Sequence, residues 1–250
     1  MKIAIVTGGS NGIGKATAFE LARRGMGVIL TYNSYADRAQ MVVDEIQRSG
    51  GTATAMKLDL TDRASFTAFA EEVKGKINEL SGRTTFDHLI NNGGAGGPMA
   101  FDEMSEEYFD LIVNTNFRGP VFLTKQLVSL MEDGGSIVNV TSSSKSQVFL
   151  GYSVYGSLKA AFSTWTRYIA KELAPRRIRV NAVSPGPTHT NFGDGAFDRH
   201  PEFIEPLAAQ SVFGRLGAPE DIAKVIANLA SDDFGWVTAQ DIEASGGHLL

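Results

Sequence analysis

The chain has 250 residues, 43% of them hydrophobic, which is enough for one large α/β domain or two small ones with a sizeable core. Its 23 basic and 28 acidic residues give a net charge of -5 without a long block of lysine and arginine, so neither nucleic acid nor an anionic membrane is favoured as a partner. The absence of cysteine excludes disulfides, thiolate metal ligands and cysteine nucleophiles.

The N-terminus starts directly with a strand pattern and carries no secretory signal pattern. No apolar run approaches the roughly 20 residues that a membrane-spanning helix needs. We therefore expect a cytoplasmic protein that does not enter a membrane.

Short apolar runs alternate with longer stretches of helical spacing along the chain. The predicted strands are KIAIV, GVILT, TATAMKL, FDHLIN, GSIVNV, RIRVNAV and DIEAS. The predicted helices include 34–49, 62–80, 105–131 and 154–174. This alternation predicts an α/β fold: a single doubly wound Rossmann-type domain over 1–250, with a central parallel sheet of about seven strands and helices on both faces.

The segment TGGSNGIG lies where the first strand turns into the first helix. Gly8 would start the turn, Gly12 would leave room for phosphates, and Gly14 would allow the helix to pack closely. The free N–H groups of a helix N-terminus attract anions, so the segment predicts a pyrophosphate site. The alternative is a plain glycine turn.

Two irregular segments follow later strands, NNGGAGGP at 91–98 and a longer one at 186–213. Both are expected at the carboxyl ends of strands, where ligands bind in open parallel sheets. We take about 187–213 as a substrate loop, with Phe192, Phe197 and Phe203 forming a partly aromatic pocket. Alternatively, the segment is a tolerated surface insertion whose phenylalanines pack on the domain, and His189 at its start is an exposed histidine.

The segment GYSVYGSLKAAF carries Tyr155 and Lys159 four residues apart, on one face of a predicted helix. A nearby ammonium favours a phenolate, so the pair can act as a tuned proton donor. Ser142, at the end of the preceding strand, can hydrogen-bond the same substrate oxygen. The alternatives are one packed and one exposed side chain for the pair, and strand-end capping for Ser142.

An acid at the end of the second strand would bind the ribose 2′-hydroxyl and repel a 2′-phosphate, but none is present. The segment in its place is Tyr32, Asn33 and Ser34. This favours NADP(H), with Asn33 and Ser34 as donors and Arg38 or Lys15 as charge partners, while NAD(H) stays open. Ser34 has an alternative role as a helix cap with Asp37.

Several motifs in order resemble the compact single-domain branch of the short-chain dehydrogenase/reductase family. TGGSNGIG resembles its cofactor motif, and NNGG resembles its N-N-A-G segment with Gly93 in place of alanine. The segments NTNFRGPVF, SPGPT, GRLGAPEDIA and ASGG match further parts of the family pattern.

The resemblance implies roles for four catalytic residues. Tyr155 would donate a proton to a carbonyl while nicotinamide delivers hydride, and Ser142 would orient that carbonyl. Lys159 would hold the nicotinamide ribose and lower the tyrosine pKa. Asn116, selected over Asn114 by its register with RGPVF, would position a water in the proton relay.

The resemblance also implies a cofactor site. The pyrophosphate would be lined by Gly8, Gly12, Ile13 and Gly14. Asp59 would approach the adenine, although it has an alternative as a turn or helix-start acid; Asn91 would flank the adenosine ribose and Thr188 the carboxamide. The remaining residues assigned to the cofactor are Ser10, Asn11, Leu60, Gly93, Pro185 and Gly186, together with Tyr155 and Lys159 themselves.

These observations predict an oxidoreductase that transfers hydride between NAD(P)(H) and a carbonyl or secondary alcohol. The four histidines lack metal-ligand spacing, so no metal is expected. By resemblance, the helices 105–131 and 154–174 would pair in a homotetramer or dimer. The alternatives are an epimerase or dehydratase on a related fold and a non-catalytic dinucleotide-binding sensor or scaffold. The sequence leaves the substrate, the reaction direction and the stereochemistry open.

Overall fold

Seven strands form one parallel sheet in the computed structural model, which describes residues 1–193 and 195–250. The strands are β1 (Ile3–Val6), β2 (Gly27–Tyr32), β3 (Thr52–Lys57), β4 (Phe86–Asn91), β5 (Met131–Val140), β6 (Arg179–Pro185) and β7 (Asp241–Ala244). Across the sheet they run β3-β2-β1-β4-β5-β6-β7, each parallel to its neighbours. The predicted doubly wound α/β fold is confirmed.

Helices cover both faces of the sheet. They are α1 (Gly12–Arg23), α2 (Ala36–Arg48), α3 (Phe66–Ser81), α4 (Glu106–Val113), α5 (Gly119–Leu127), α6 (Ser153–Glu172), α7 (Phe192–Arg199), α8 (Ile204–Ala209) and α9 (Pro219–Ala230). Side chains of α1, α2 and α9 form the core on one face, and those of α3, α5 and α6 form the core on the other.

The burial of the sheet on both faces explains why its strands read as continuous apolar runs. In β1, Ala4 and Val6 pack into the core with α1, whereas Ile3 and Ile5 pack into the core with α3. All four side chains are fully buried. A strand that alternates between two cores must be apolar at every position, as Ile3–Val6 is.

The chain order across the sheet reverses at β1, because β1 lies between β2 and β4. On one side of this point the connections lead to β2 and β3, and on the other side they lead to β4 and beyond. A crevice therefore opens beyond the carboxyl ends of β1 and β4, and ligands of doubly wound sheets bind in such crevices.

Two predicted elements differ from the structure. The predicted helix 105–131 is interrupted by a π-helical turn at Asn114–Arg118 and ends before Met131, which begins β5 and pairs with Phe86. The stretch 186–213, expected to be irregular, contains α7 and α8. Gly193 and Gly195 lie within α7, and the low helix propensity of glycine hides its helical pattern in the sequence.

His88 is a buried imidazole in the middle of β4. Its Nδ1 lies 2.9 Å from the hydroxyl of Ser136, and its Nε2 has no hydrogen-bond partner among the described residues. Burial lowers the pKa of His88 to about 4. The folded protein therefore holds this ring neutral at pH values where an unfolded histidine is protonated.

We expect the free energy of unfolding to fall by about 2 kcal/mol between pH 7 and pH 5 because of His88. The folded pKa lies below the unfolded value, so the unfolded chain binds more protons in this window, and acidification favours unfolding. Urea unfolding of wild type and His88→Gln at both pH values measures the effect. The free energy of unfolding should depend less on pH in His88→Gln than in wild type. His189→Gln, which replaces a half-exposed histidine, should not show this reduction. Equal slopes in wild type and His88→Gln would contradict the prediction.

Candidate active site

The glycine loop connects β1 to α1 at the crevice. Gly8 and Gly12 have φ values of +66° and +51°, a backbone region that other residues rarely adopt. Both glycines are therefore required by the turn itself. Gly12 is also the first residue of α1, so the glycine loop ends at the N-terminus of this helix.

Gly14 allows the first turn of α1 to pack against the loop that precedes it. A Cβ at this position would overlap the carbonyl oxygen of Gly8 and would lie 2.5 Å from Nδ2 of Asn92. Asn92 Nδ2 donates to the carbonyl of Thr7 at 2.9 Å, and the backbone N–H of Gly93 donates to the Thr7 hydroxyl at 2.8 Å. The two glycine-rich segments thus hold each other in place.

The residues at the start of α1 fit a bound pyrophosphate. The N-cap residue Asn11 makes no side-chain cap hydrogen bond, and the first turn contains no acidic residue. Its N–H groups and the positive end of the helix dipole are therefore available to an anion. A groove of about 400 Å³ adjoins this turn, and its lining includes Ser10, Asn11, Gly12, Lys15 and Arg38.

The end of β2 is open to a ligand. Asn33 and Ser34 are exposed, and α2 begins after Tyr35 without a side-chain cap hydrogen bond, so the alternative role of Ser34 as a cap is not seen. The Arg38 guanidinium lies 4.4 Å from the centre of the Tyr35 ring. None of the residues at the end of β2, Tyr32, Asn33 and Ser34, carries a carboxylate.

Two residues assigned to the adenosine half have side chains engaged inside the protein. Asp59 Oδ1 accepts hydrogen bonds from the N–H and the hydroxyl of Thr61, at 2.8 and 2.7 Å, as in the turn alternative. Asn91 Nδ2 donates to Thr124 and Asn139 at 3.0 and 2.9 Å. The Asn91 amide nitrogen is therefore committed within the fold, and the ribose contact assigned to this residue stays a prediction.

The other residues assigned to the cofactor lie along the same edge of the sheet. Thr188, after β6, is buried, and its hydroxyl donates to the carbonyl of Gly186 at 2.8 Å. A Cβ on Gly93 would lie 2.9 Å from the side chain of Leu60. Pro185 ends β6, and Ile13 lies in the first turn of α1. All of them remain predictions as cofactor contacts.

Tyr155 and Lys159 lie in the first two turns of α6, and both are buried. Lys159 Nζ is 5.4 Å from the centre of the Tyr155 ring and donates to the carbonyl of Val140 at 2.9 Å. Burial lowers the pKa of Lys159 to about 8. Two of the three ammonium donors remain for a ligand when the group is protonated.

The pKa of Tyr155 departs from the sequence expectation. We expected the neighbouring ammonium to lower it, whereas burial raises the pKa of Tyr155 well above its usual range, and a hydrogen bond with Ser142 opposes the rise. The physical reason is that removal of a phenolate from water outweighs that hydrogen bond. Tyr155 is thus held as a neutral phenol, the proton-carrying form.

Asn116 lies in the π-helical turn between α4 and α5, a distortion often found at functional sites. Its Nδ2 donates to the carbonyls of Ala95 and Ile112 at 2.7 and 3.0 Å, whereas its buried Oδ1 has no partner among the described residues. A Cβ on Gly94 would lie 2.9 Å from this oxygen and 3.8 Å from Lys159 Nζ. An acceptor and a donor therefore face a small space beside Gly94, and a bridging water would satisfy both.

Ser142 follows β5 and caps the short 3₁₀ turn Ser143–Lys145. Its Oγ accepts from the N–H of Ser144 at 3.2 Å, as the capping alternative anticipated. The same hydroxyl is close enough to Tyr155 to lower the pKa of that phenol against the effect of burial. Ser142, Tyr155 and Lys159 are therefore brought together, with Ser142 carrying a capping role as well.

The substrate loop places one of its three phenylalanines at this cluster. The ring centres of Phe192 and Tyr155 are 5.5 Å apart, and a Cβ on Gly96 would lie 2.6 Å from the Phe192 ring. Phe197 instead packs on His189, and Phe203 packs on His200 and is half exposed. His189 is exposed, as expected, with Nε2 3.0 Å from Asp198.

Sequence reasoning missed several supporting residues. Thr7 and Asn92 brace the glycine loop, and the N-N-G-G motif already contained Asn92 as a signal. A charged group beside Ser142, Lys145 paired with Asp241, had no local signal because its two members come from distant parts of the chain.

The fold and the site together define a dinucleotide-binding α/β protein with a phenol and an ammonium at its crevice. The sequence model of the family described as "Enoyl-(Acyl carrier protein) reductase" matches residues 8–248. An uncharacterized oxidoreductase of Methylorubrum extorquens is 38% identical over 246 residues, which covers 98% of this chain and 97% of the relative.

Solved structures agree with this relationship. The promiscuous reductase LugOII, which catalyses keto-reduction at C1 during lugdunomycin biosynthesis, is 36% identical with a TM-score of 0.94, covering 100% of this chain and 98% of that one. The angucycline C-6 ketoreductase LanV with bound NADP is 37% identical with a TM-score of 0.94, covering 99% and 95%. The chain belongs to the short-chain dehydrogenase/reductase family and is an NAD(P)-dependent oxidoreductase.

Two features are absent from the residues that the structure describes. No helix there is both long enough and apolar enough to cross a membrane. The same residues contain no group of three or more histidine, aspartate or glutamate side chains arranged to hold a metal ion.

Proposed function

We propose that this protein is an NADPH-dependent ketoreductase in which Tyr155 supplies the proton. The observation that carries the proposal is the cluster at the crevice, where the Lys159 ammonium lies 5.4 Å from the centre of the buried Tyr155 ring and Ser142 is close enough to lower the pKa of that phenol. A neutral phenol next to a cation is suited to giving up a proton and then stabilising the resulting phenolate.

Tyr155, Ser142 and Lys159 have different roles in the proposed reduction of a ketone. Nicotinamide, held at the glycine loop and by Lys159, would supply the hydride to the carbonyl carbon when the cofactor is bound. Tyr155 donates its phenolic proton to the carbonyl oxygen, and Ser142 hydrogen-bonds the same oxygen and fixes its orientation. Lys159, whose pKa lies near 8, keeps enough positive charge near neutral pH to stabilise the phenolate.

Asn116 completes the proton path. Its unpartnered Oδ1 would accept from a water beside Gly94, at a point that the Lys159 ammonium also approaches. A buried acceptor without a partner is costly, so a water at this position stabilises the site and connects it to a proton source.

The substrate is an aromatic ketone with an apolar body. The wall of the site is aromatic: Phe192 packs on Tyr155, and Tyr152 approaches Tyr155 with ring centres 6.0 Å apart. LugOII and LanV are described as a keto-reductase and an angucycline ketoreductase, and LanV has been solved with NADP and rabelomycin. Flat rings stack well between such side chains.

The preference for NADPH rests on the end of β2. No carboxylate is present there to repel a 2′-phosphate, Asn33 and Ser34 are exposed donors, and the groove beside them contains Arg38 and Lys15. Lys15 is the weaker candidate because its Nζ lies 3.9 Å from Glu45. NADP bound to LanV supports the same choice.

The test follows cofactor absorbance with 1-tetralone, a naphthoquinone, cyclohexanone and an acyclic keto ester. We expect turnover with the fused-ring ketones, and kcat/KM with NADPH at least about tenfold above that with NADH, which corresponds to about 1.4 kcal/mol. An enoyl thioester and secondary alcohols with NADP⁺ complete the panel. Calorimetry measures cofactor binding on its own.

Three outcomes contradict parts of the proposal. Turnover of the enoyl thioester alone would replace carbonyl reduction by reduction of a carbon–carbon double bond. A preference for NADH would contradict the interpretation that the end of β2 accepts the 2′-phosphate of NADPH. Tight NADPH binding with no turnover of any ketone or alcohol would favour a non-catalytic sensor or scaffold.

Assembly into a homotetramer or dimer remains a prediction. Exposed apolar side chains on α4, α5 and α6 support it, namely Phe109, Leu111, Phe122 and Tyr168. A location in the cytoplasm likewise remains a prediction.

A further inference from the structure

A partly buried ionic cluster lies beside the turn that carries Ser142. It contains Lys145 and Asp241, whose Nζ and Oδ1 are 3.1 Å apart, with side chains only 18% and 12% exposed. The hydroxyl of Ser184 lies between them, accepting from Lys145 Nζ at 2.6 Å and donating to Asp241 Oδ1 at 2.6 Å. None of these residues belongs to the proton path or the cofactor site described above.

The cluster also holds Thr141, the residue before Ser142. The Thr141 hydroxyl is 2.7 Å from the hydroxyl of Ser184 and 3.2 Å from each carboxylate oxygen of Asp241. Its backbone N–H donates to the carbonyl of Val183 at 2.8 Å. The chain entering the Ser142 turn is therefore attached to β6 and β7.

The chain leaving the turn is attached to the same carboxylate. Lys145 is the last residue of the 3₁₀ turn that Ser142 caps, and its N–H donates to the carbonyl of Ser142 at 3.0 Å. Its side chain then reaches back to Asp241. Both ends of the turn that presents Ser142 thus converge on one carboxylate.

The opposite side of the turn packs on the helix that carries Tyr155. A Cβ on Gly156 would lie 2.7 Å from the carbonyl oxygen of Ser144, so the turn and α6 are in close contact. A shift of the turn away from Asp241 would change the distance between the hydroxyls of Ser142 and Tyr155.

A buried ion pair contributes little net stability, because desolvation of both charges offsets their attraction. Its value lies in directional contacts that define one geometry. A catalytic hydroxyl needs such placement, since small displacements reduce the rate strongly. An ionic cluster beside the turn that carries a reactive serine fits this use.

We propose that Lys145, through Ser184 and Asp241, is a positioning residue for Ser142. The expected effect of Lys145 on the reaction rate rests on the proposed ketoreductase function. Its expected effect on the geometry of the turn does not. Lys145 does not touch the substrate; it acts by holding the turn that carries the Ser142 hydroxyl. The consequence should be a loss of kcat with little change in NADPH binding.

The first experiment compares wild type, Lys145→Met and Lys145→Arg, each also combined with Ser142→Ala. We expect Lys145→Met to lower kcat about tenfold with the Kd of NADPH within twofold, and Lys145→Arg to restore activity to within about threefold of wild type. In the Ser142→Ala background, Lys145→Met should change kcat less than twofold. An equal tenfold loss in both backgrounds, or no loss in either, would overturn the inference.

The second experiment needs no turnover and separates this inference from the proposed function. Hydrogen exchange of the Ser144 and Lys145 amides, both bonded to Ser142, should become at least about tenfold faster in Lys145→Met. Lys2→Met, which breaks an exposed lysine–aspartate pair elsewhere, should leave these amides unchanged. If wild type reduced no ketone, the proposed function would fail; if exchange did not change in Lys145→Met, the positioning role would fail.

Discussion

Replacing Tyr155 by phenylalanine is expected to lower kcat for ketone reduction by about 10²- to 10⁴-fold while NADPH still binds within about threefold of wild type. The variant removes only the phenolic hydroxyl, which is the proposed proton donor. The ring remains to pack against Phe192 and Tyr152, so the shape of the site is preserved. Steady-state kinetics with a fused-ring ketone and calorimetry with NADPH measure the two quantities separately.

Tyr152 provides the matched control. It lies three residues before Tyr155, packs edge to face against it and has a pKa that burial also raises. Because the proposal assigns the proton to Tyr155, whose ring lies beside the Lys159 ammonium, Tyr152→Phe should change kcat less than about threefold. The reverse pattern, with Tyr152→Phe inactive and Tyr155→Phe active, would move the proton donor to the other tyrosine.

Replacing Gly14 by alanine is expected to weaken NADPH binding at least about tenfold and to lower the free energy of unfolding by about 1–3 kcal/mol. The added methyl group would overlap the carbonyl oxygen of Gly8 and approach Asn92, so the glycine loop must move. That loop holds the free N–H groups proposed for the pyrophosphate. Calorimetry with NADPH and urea unfolding report the two losses.

Gly75 is the matched control because it lies inside α3, where a Cβ would meet nothing within 4 Å. Alanine has the higher helix propensity, so Gly75→Ala should raise the free energy of unfolding by about 0.5–1 kcal/mol and leave NADPH binding unchanged. A lower free energy of unfolding in Gly14→Ala and a higher one in Gly75→Ala would show that packing, and not helix propensity, decides the effect of alanine at Gly14. Unchanged NADPH binding in Gly14→Ala would contradict the proposed role of the loop.

The architecture could be predicted from the sequence because its signals are local. A parallel strand with cores on both faces must be apolar throughout, and an intervening helix must show helical spacing. The seven strands and the helices α2, α3 and α6 therefore lie within a few residues of the predicted bounds. The glycines at Gly8 and Gly12 were recognisable for a similar reason. Their φ values are positive, and the requirement for glycine there lies in the backbone itself.

The site was only partly predictable. The spacing of Tyr155 and Lys159 follows from one helix turn, but their burial follows from everything packed around α6. Burial raises the pKa of Tyr155, against the lowering expected from Lys159, because desolvation is a property of the assembled protein. The involvement of Asn91 Nδ2 with Thr124 and Asn139 was equally hidden, since its partners come from other elements.

By itself, the sequence determined the order of strands and helices along the chain, the glycine turn and the spacing of Tyr155 and Lys159, because these depend on neighbours a few positions apart. Only the tertiary structure decided which phenylalanine meets Tyr155, which protonation states burial favours and how Ser142 is held. Thr141 and Asp241 are 100 residues apart in the chain yet their side chains are in contact. Contacts of this kind arise when the sheet aligns the ends of β5, β6 and β7, and no local pattern encodes them.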